Sequence, residues 1–74
     1  MTTIYTRTNC QPCRMSRRVL DSKGIPYEIV NVDECPEALN DIKALGYQTL
    51  PVILTSSGEH FAGFQPDRLA ALVV

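Results

Sequence analysis

Long hydrophobic runs and an excess of one charge are both missing from this sequence. The apolar runs are short, as at residues 50–54, and none approaches the roughly 20 residues that a membrane-spanning helix needs. Seven Lys and Arg residues stand against eight Asp and Glu residues, which gives a formal net charge of −1. Because no basic stripe is present to neutralise phosphates, we expect no binding to nucleic acid, and we expect no membrane insertion.

A secretion signal is also missing, and so is an even, spread-out set of cysteines. Residues 1–7 lack an apolar signal region and lead directly into a strand pattern. The three cysteines are an odd number, and two of them lie three positions apart. A secreted disulfide scaffold usually carries an even, spread-out set. We therefore expect a cytoplasmic protein with reduced thiols, in which the pair Cys10 and Cys13 performs chemistry.

The length and the turn signals predict one domain of alternating strands and helices. The 74 residues are 45% hydrophobic and 20% charged, which suits a single globule over residues 1–74. Strands are predicted over 3–6, 27–32, 52–55 and 60–62, and helices over 12–23, 35–45 and from 66 onward. The order βαβαββα implies an α/β fold with a central sheet covered on its faces.

Apolar residues at helical spacing predict which side of each helix is buried. The positions predicted to face inward are Met15, Val19 and Leu20 in the first helix, Leu39, Ile42 and Leu45 in the second, and Leu69, Ala70, Leu72 and Val73 in the last. Arg17, Arg18 and Lys23 are predicted to form the solvated side of the first helix. Gly24 and Gly46 are predicted to end the first two helices.

Cys10 and Cys13 lie at the predicted start of the first helix, directly after a strand. A helix N-terminus offers unpaired N–H groups and about half a positive charge, and both stabilise a thiolate. Cys10 should be the more exposed cysteine with the lower pKa, and Arg7 adds positive charge nearby. Its thiolate would attack a partner disulfide, after which Cys13 would displace the reduced partner. Pro12 limits the backbone freedom between the two sulfurs.

Zinc binding is the main alternative for this pair. Cys35 and His60 would complete a Cys3His set. Structural zinc sites usually bring their ligands in two close pairs, whereas Cys35 and His60 each stand alone in the sequence. The strand-then-helix setting favours redox chemistry and no metal. A chemically inert pair of thiols is the remaining alternative.

Four further segments carry a family resemblance. Residues 4–7 lead into the CxxC pair, residues 31–33 with 36–38 cover the end of the second strand and the next helix start, residues 46–52 contain a Thr-Leu-Pro turn, and residues 63–67 read Gly-Phe-Gln-Pro-Asp. Over nearly its whole length the chain resembles the thioredoxin superfamily and, within it, the NrdH-redoxins. The resemblance implies a thioredoxin fold, with a four-stranded mixed sheet flanked by three helices.

The resemblance also implies a function and a set of site residues. It implies an electron carrier for class Ib ribonucleotide reductase, recharged by thioredoxin reductase and NADPH, with no bound cofactor. We expect a monomer, because the dithiol must stay reachable by two different partners in turn. Cys10 would be the attacking thiol and Cys13 the resolving one. Pro51 would be a cis-proline that leaves the Leu50 backbone open to an incoming extended chain. The other residues implied to support partner binding are Thr49, Arg7, Pro12, Gly63 and Phe64.

Glutaredoxins resemble this chain too, and they take their electrons from glutathione. They bind glutathione partly through a Gly-Gly pair that is followed by an acid near the last helix. Here Phe64 replaces the second glycine, which favours thioredoxin reductase as the electron source. Asp67 is expected instead to cap the last helix.

Three other residues have less specific predictions. Cys35 is predicted to fill space at a helix start, where its position could lower its pKa. His60 is predicted to be an exposed strand residue. Tyr47, together with Phe64, is predicted to form an apolar patch around the thiols where a reductase docks, with core packing as the alternative for Phe64.

Overall fold

The computed structural model of the chain describes residues 1–72 and confirms the predicted order of elements. The strands are β1 (Thr2–Thr6), β2 (Tyr27–Asn31), β3 (Val52–Leu54) and β4 (His60–Ala62), and the helices are α1 (Gln11–Ser22), α2 (Ala38–Ala44) and α3 (Pro66–Ala70). The prediction that Val73 faces inward lies outside the described residues. No helix within residues 1–72 is both long enough and apolar enough to cross a membrane.

The four strands form one mixed sheet in the order β2-β1-β3-β4. β1 is parallel to β2 and antiparallel to β3, and β4 is antiparallel to β3. The predicted four-stranded sheet with three helices is confirmed. Since β1 lies between two neighbours, the loop that leaves its carboxyl end emerges from the middle of one sheet edge. That loop leads to Cys10.

One hydrophobic core lies between the sheet and the helices α1 and α3. Ile4, Ile53 and Phe61 pair across β1, β3 and β4, so their side chains form one row on the same face of the sheet. Leu20 of α1 and Leu69 of α3 pack against this row, and neither side chain has any exposed surface.

A second core lies on the opposite face of the sheet. Tyr5 and Val52, each adjacent in sequence to a member of the first row, point the other way because strand side chains alternate. Ala38 and Ile42 of α2 pack against them. The sheet is therefore covered on both faces, with α1 and α3 on one side and α2 on the other.

The buried side of α1 agrees with the prediction in part. Leu20 is buried and Val19 packs on the core, as predicted, but the other buried residues are Cys13 and Ser16, and Met15 is 39% exposed. Met15 lies two residues after Cys13, and at about 100° per residue this places it almost on the opposite side of the helix. Arg17 and Lys23 are half-buried rather than fully solvated, and only Arg18 of the three is exposed as predicted.

Two other inward-facing predictions are wrong for the same reason. In α2 the residues facing the sheet are Ala38 and Ile42, which are four apart, and Leu39 is 36% exposed. In the last helix Leu69 is buried and Leu72 packs on the same core, whereas Ala70 is exposed. Leu39 and Ala70 each follow a buried residue directly, and one residue turns a helix by about 100°.

The helix ends agree with the prediction at two of three places. Gly24 and Gly46 follow the helices α1 and α2 with φ angles of 68° and 90°, the left-handed conformation that glycine adopts at low cost. Asp67 does not cap α3. The residue at the cap position is Gln65, which makes no side-chain cap hydrogen bond, and Asp67 lies in the first turn. There its negative charge still stabilises the helix, because it lies near the positive end of the helix dipole.

The C-terminal ends of α1 and α3 are joined by a side chain. The Lys23 ammonium group donates a hydrogen bond to the backbone carbonyl of Ala70 at 2.6 Å. The last carbonyl groups of a helix have no hydrogen-bond partner within it, and this contact supplies a partner for one of them. It explains why Lys23 is half-buried, contrary to the prediction.

Candidate functional site

The loop between β1 and α1 is held in a defined shape before it reaches the cysteines. Asn9 has a φ of 59°, a left-handed conformation that asparagine tolerates better than most residues. The Thr8 N–H donates a hydrogen bond to the Asp33 carboxylate at 2.9 Å. Because Asp33 follows β2, this bond ties together the loops that leave two parallel strands.

Cys10 occupies the cap position of α1, and Cys13 lies in its first turn. The Cys13 N–H donates a hydrogen bond to the Cys10 sulfur at 3.3 Å, so the sulfur satisfies a donor that the helix leaves unpaired. The two cysteines are joined by a disulfide, with their Cα atoms 5.2 Å apart. Cys10 is 9% exposed and Cys13 is 2% exposed, which agrees with the predicted order of exposure.

The surroundings of the pair carry more positive than negative charge, with three arginines and one acid lining the same depression. Pro12 lies in the first turn of α1, and that turn contains no acidic residue. Arg14 follows Cys13 directly, and its guanidinium donates a hydrogen bond to the Gln11 side chain at 2.7 Å. A helix N-terminus next to arginine favours the ionised form of a thiol, which is the nucleophilic form. The arrangement can open and close a disulfide ring.

Arg7 connects the dithiol to the Thr49–Leu50 segment. It lines an open depression of about 300 Å³ together with Cys10 and Cys13. It also lines a groove of about 370 Å³ with Thr49 and Leu50. The structure thus brings together the Cys pair, Arg7 and the residues before Pro51, which the sequence placed far apart in the chain.

Pro51 and Gly63 are in contact at the same end of the paired strands β3 and β4. The peptide bond between Leu50 and Pro51 is cis, the conformation that the resemblance implies. The Gly63 N–H donates a hydrogen bond to the Pro51 carbonyl at 2.8 Å, and Gly63 has a φ of 81°. Pro51 is fully buried, so its surroundings hold it in a fixed position. The roles of both residues in partner binding stay predictions.

Tyr47 and Phe64 do not form one patch around the thiols. Phe64 packs against the core between the sheet and the helices α1 and α3, whereas Tyr47 packs against the core beneath α2. These two cores lie on opposite faces of the sheet. Packing against the core, the alternative for Phe64, is what the structure shows.

His60 is a half-buried partner of Tyr47 rather than an exposed residue. The Tyr47 hydroxyl lies 2.8 Å from His60 Nδ1 and donates to the His60 carbonyl at 3.2 Å, and the two rings meet edge to face. His60 is at the end of β4 farther from Gly63. The His60 ring therefore contributes to packing and hydrogen bonding with Tyr47.

Cys35 has a raised pKa, not the lowered pKa that its sequence position suggested. Its thiol donates a hydrogen bond to the Glu37 carboxylate at 3.2 Å, and this bond raises the pKa of Cys35, with smaller effects of burial and of the Glu37 charge. Helix α2 begins only at Ala38, so Cys35 lies in the preceding turn rather than in the helix. Part of its side chain packs on the second core, as predicted.

The zinc alternative is not supported by the arrangement of its four residues. Cys35 is paired with Glu37, and His60 with Tyr47. In the part of the chain that the structure describes, no three His, Cys, Asp or Glu side chains are grouped in a way that could hold a metal ion.

The alkylation rate of Cys35 tests its raised pKa. With Cys10 and Cys13 held in the disulfide, Cys35 is the free thiol, and iodoacetamide at pH 8 should label it more slowly than an unstructured cysteine peptide. Glu37→Gln removes the accepting charge, so the pKa should fall, the thiolate fraction should rise, and labelling should accelerate severalfold. Glu34→Gln is the matched control, because Glu34 is not among the groups that shift this pKa. Equal rates for the wild type and Glu37→Gln would contradict the assignment.

Three residues that shape the site were not identified from the sequence. Asn9 turns the chain into the helix, Asp33 accepts the Thr8 N–H, and Ser16 lies fully buried beside Cys13 with its hydroxyl donating to the Pro12 carbonyl. Asn9 carried a usable signal, since asparagine is one of the few residues that tolerate the left-handed conformation in a turn. Asp33 could have been found as an acid at the carboxyl end of a parallel strand.

Fold and site together define a class of protein. A disulfide-forming CxxC pair at the start of a helix, directly after an inner strand of a mixed four-stranded sheet, is the arrangement of the thioredoxin-fold redox proteins. The family model for glutaredoxin matches residues 2–61. This chain belongs to the glutaredoxin family, among the glutaredoxin-like NrdH proteins.

Individual relatives support this membership along most of the chain. The glutaredoxin-like protein NrdH of Salmonella typhimurium is 40% identical over 70 residues, covering 95% of this chain and 85% of the relative. NrdH of Lactococcus lactis is 36% identical over 72 residues, covering 97% and 99%. The structure of NrdH-redoxin from Escherichia coli superposes with a TM-score of 0.91 at 36% identity, covering 99% of this chain and 95% of that one.

Proposed function

We propose that this chain is a cytoplasmic, monomeric electron carrier that reduces the large subunit of a class Ib ribonucleotide reductase. Thioredoxin reductase, with electrons from NADPH, would return it to the dithiol form, and no cofactor would be bound. The observation that carries the proposal is the position of Cys10. Its sulfur caps the start of α1, accepts the Cys13 N–H and stays more exposed than Cys13.

The proposed reaction is a two-step exchange of disulfide bonds. The Cys10 thiolate attacks one sulfur of the partner disulfide, and the other partner sulfur leaves as a thiolate that takes up a proton. Cys13, having lost its own proton, then attacks Cys10, which closes the ring and releases the second partner thiol. Two electrons and two protons pass to the partner, and the disulfide seen in this structure is the oxidised product.

The groove beside the dithiol supports a place for the partner chain. Arg7, Thr49 and Leu50 line it, and Arg7 also borders the depression that holds the two cysteines. A partner segment lying along Leu50 in an extended conformation would bring its disulfide towards Cys10. Because backbone groups give affinity without reading side chains, this contact would serve two different partners in turn.

Two observations favour thioredoxin reductase over glutathione as the electron source. The NrdH-redoxin of Escherichia coli, a glutaredoxin-like protein similar in structure to this chain, has a thioredoxin-like activity profile. In this chain Phe64, a bulky residue packed on the core, stands where glutaredoxins have the second glycine of their glutathione-binding pair. A side chain there occupies space that the glutathione backbone would need.

A coupled assay tests the choice of reductant. With NADPH and thioredoxin reductase, catalytic amounts of the protein should accelerate insulin reduction. With NADPH, glutathione and glutathione reductase, the rate should stay near that of the assay without the protein. Cys35→Ser should behave like the wild type, since Cys35 is not part of the ring. Turnover with glutathione alone would contradict the proposal and favour a glutathione-dependent glutaredoxin.

A further inference from the structure

The positive charge of this protein is concentrated beside the dithiol. Two adjoining depressions are lined by four of the seven Lys and Arg residues but by only two of the eight Asp and Glu residues. The rest of the chain is left with three cations and six acids. We call these four residues the arginine face: Arg7, Arg14, Arg17 and Arg18. A protein whose net charge is −1 thus presents a locally basic surface at its reactive end.

The arginine face is placed where it does not help helix α1. Arg14 lies in the first turns, at the positive end of the helix dipole, and that first turn has no acidic residue. Arg14 and Arg18 are four residues apart, and Arg14 and Arg17 are three apart, so like charges are neighbours on the helix surface. A sequence chosen only for helix stability would avoid both features, which points to a use outside the helix.

Arg17 is partly fixed in place before any partner binds. It is half-buried and lines both depressions, and its Nε atom is buried without a hydrogen-bond partner among residues 1–72. A held side chain loses less conformational entropy when it pairs with a carboxylate. Of the two acids nearby, Asp21 already accepts a hydrogen bond from the Tyr27 hydroxyl at 2.8 Å.

We propose that the arginine face recognises an acidic segment next to the partner's disulfide, so that the carrier selects substrates whose reactive cysteines are flanked by Asp or Glu. This inference rests on the proposed carrier function. Opposite charges accelerate encounter and orient the partner, while like charges on a wrong substrate slow it. Carboxylates fit the planar guanidinium of arginine in particular.

Three synthetic peptides test the proposal. Each has the same cystine-bridged core, flanked by Glu, Gln or Lys residues, and is mixed with pre-reduced protein in a single turnover that needs no reductase. At low salt the Glu peptide should be reduced on the order of tenfold faster than the Lys peptide, with the Gln peptide between them. At ~0.5 M salt the ratio should approach one, because screening then acts within a few ångströms.

Two charge reversals locate the effect. Arg18→Glu and Lys43→Glu each change the net charge by the same amount at an exposed helix position, but only Arg18 lines a depression of the arginine face. Arg18→Glu should lower the Glu-to-Lys rate ratio severalfold, and Arg14→Glu/Arg18→Glu should bring it to one or below. Lys43→Glu should keep the wild-type ratio. The measured quantity is the ratio of two reduction rates. A change in Cys10 reactivity would alter both rates by the same factor and would leave the ratio unchanged.

The outcomes distinguish the preference for acidic partners from the electron-carrier function. Equal rates for the three peptides at low salt, or a Glu preference that survives in Arg14→Glu/Arg18→Glu, would overturn the acidic-partner inference and leave the carrier function intact. Failure of the pre-reduced protein to reduce even the Gln peptide would overturn the carrier function itself.

Discussion

Cys10→Ser should abolish disulfide reduction in the thioredoxin reductase assay, down to the rate seen without the protein. Serine lacks the sulfur that must attack, so no mixed disulfide can form at this position. The fold should survive, because serine is a favourable cap residue whose hydroxyl can accept the Cys13 N–H as the sulfur does. The measurement is the steady-state rate of insulin reduction, with circular dichroism to verify folding.

Cys13→Ser should give a different result, which makes the pair of variants informative. Cys10 would still attack, but nothing would displace the reduced partner, so a stable mixed disulfide should accumulate. Mass spectrometry of that adduct would identify the partner and show that it is attached at Cys10. Cys13→Ala is a second variant if the buried hydroxyl impairs folding, since Cys13 is only 2% exposed. Full activity of Cys10→Ser, or trapping at Cys35, would contradict the assigned roles.

Leu20→Ala should remove a large part of the folding free energy. Leu20 of α1 has no exposed surface and packs against the sheet and against α3. Truncating such a leucine leaves a cavity and costs about 3 to 5 kcal/mol. A chain of 74 residues has about 4 to 11 kcal/mol to lose, at 0.05 to 0.15 kcal/mol per residue. Urea unfolding of the oxidised protein, followed by circular dichroism, measures the difference.

Leu39→Ala is the matched control for this substitution. It makes the same chemical change in a helix, but Leu39 is 36% exposed. It should cost less, about 1 to 2 kcal/mol, because more than a third of this side chain is already in solvent and its removal leaves no closed cavity. If Leu39→Ala destabilised the protein as much as Leu20→Ala, the assignment of the buried helix faces would be wrong.

The sequence was sufficient for the order of elements and for the reactive pair, because both depend on local signals. Gly24 and Gly46 end helices by their own conformational freedom, and a strand followed by a CxxC marks the start of α1 whatever the rest of the chain does. Burial on the helices was harder to predict. A helix turns by about 100° per residue, so Leu39 was judged inward in place of its neighbour Ala38, although Ile42 was predicted correctly.

Contacts set by the sheet could not be read from the sequence. Tyr47 and Phe64 both looked like apolar neighbours of the thiols, but Tyr47, which follows α2, packs on the second core, and Phe64, which follows β4, packs on the first. The pKa of Cys35 depended on where α2 begins. The hydrogen bond from the Cys35 thiol to the Glu37 carboxylate raises the pKa by more than the Ala38 backbone at the helix start lowers it, so the sign of the shift is opposite to the predicted one.

The bond from Lys23 to the Ala70 carbonyl has a practical consequence for handling this protein. Helix α1 extends for about 18 Å from Gln11 to Ser22, so Lys23 marks the end of the molecule remote from the sulfurs. Because α3 is fastened there, the exposed residues Ala70 and Ala71 lie near that remote end and offer sites for attaching a fluorophore. Immobilising the protein through such an attachment would keep its reactive end free to meet both a reductase and a substrate.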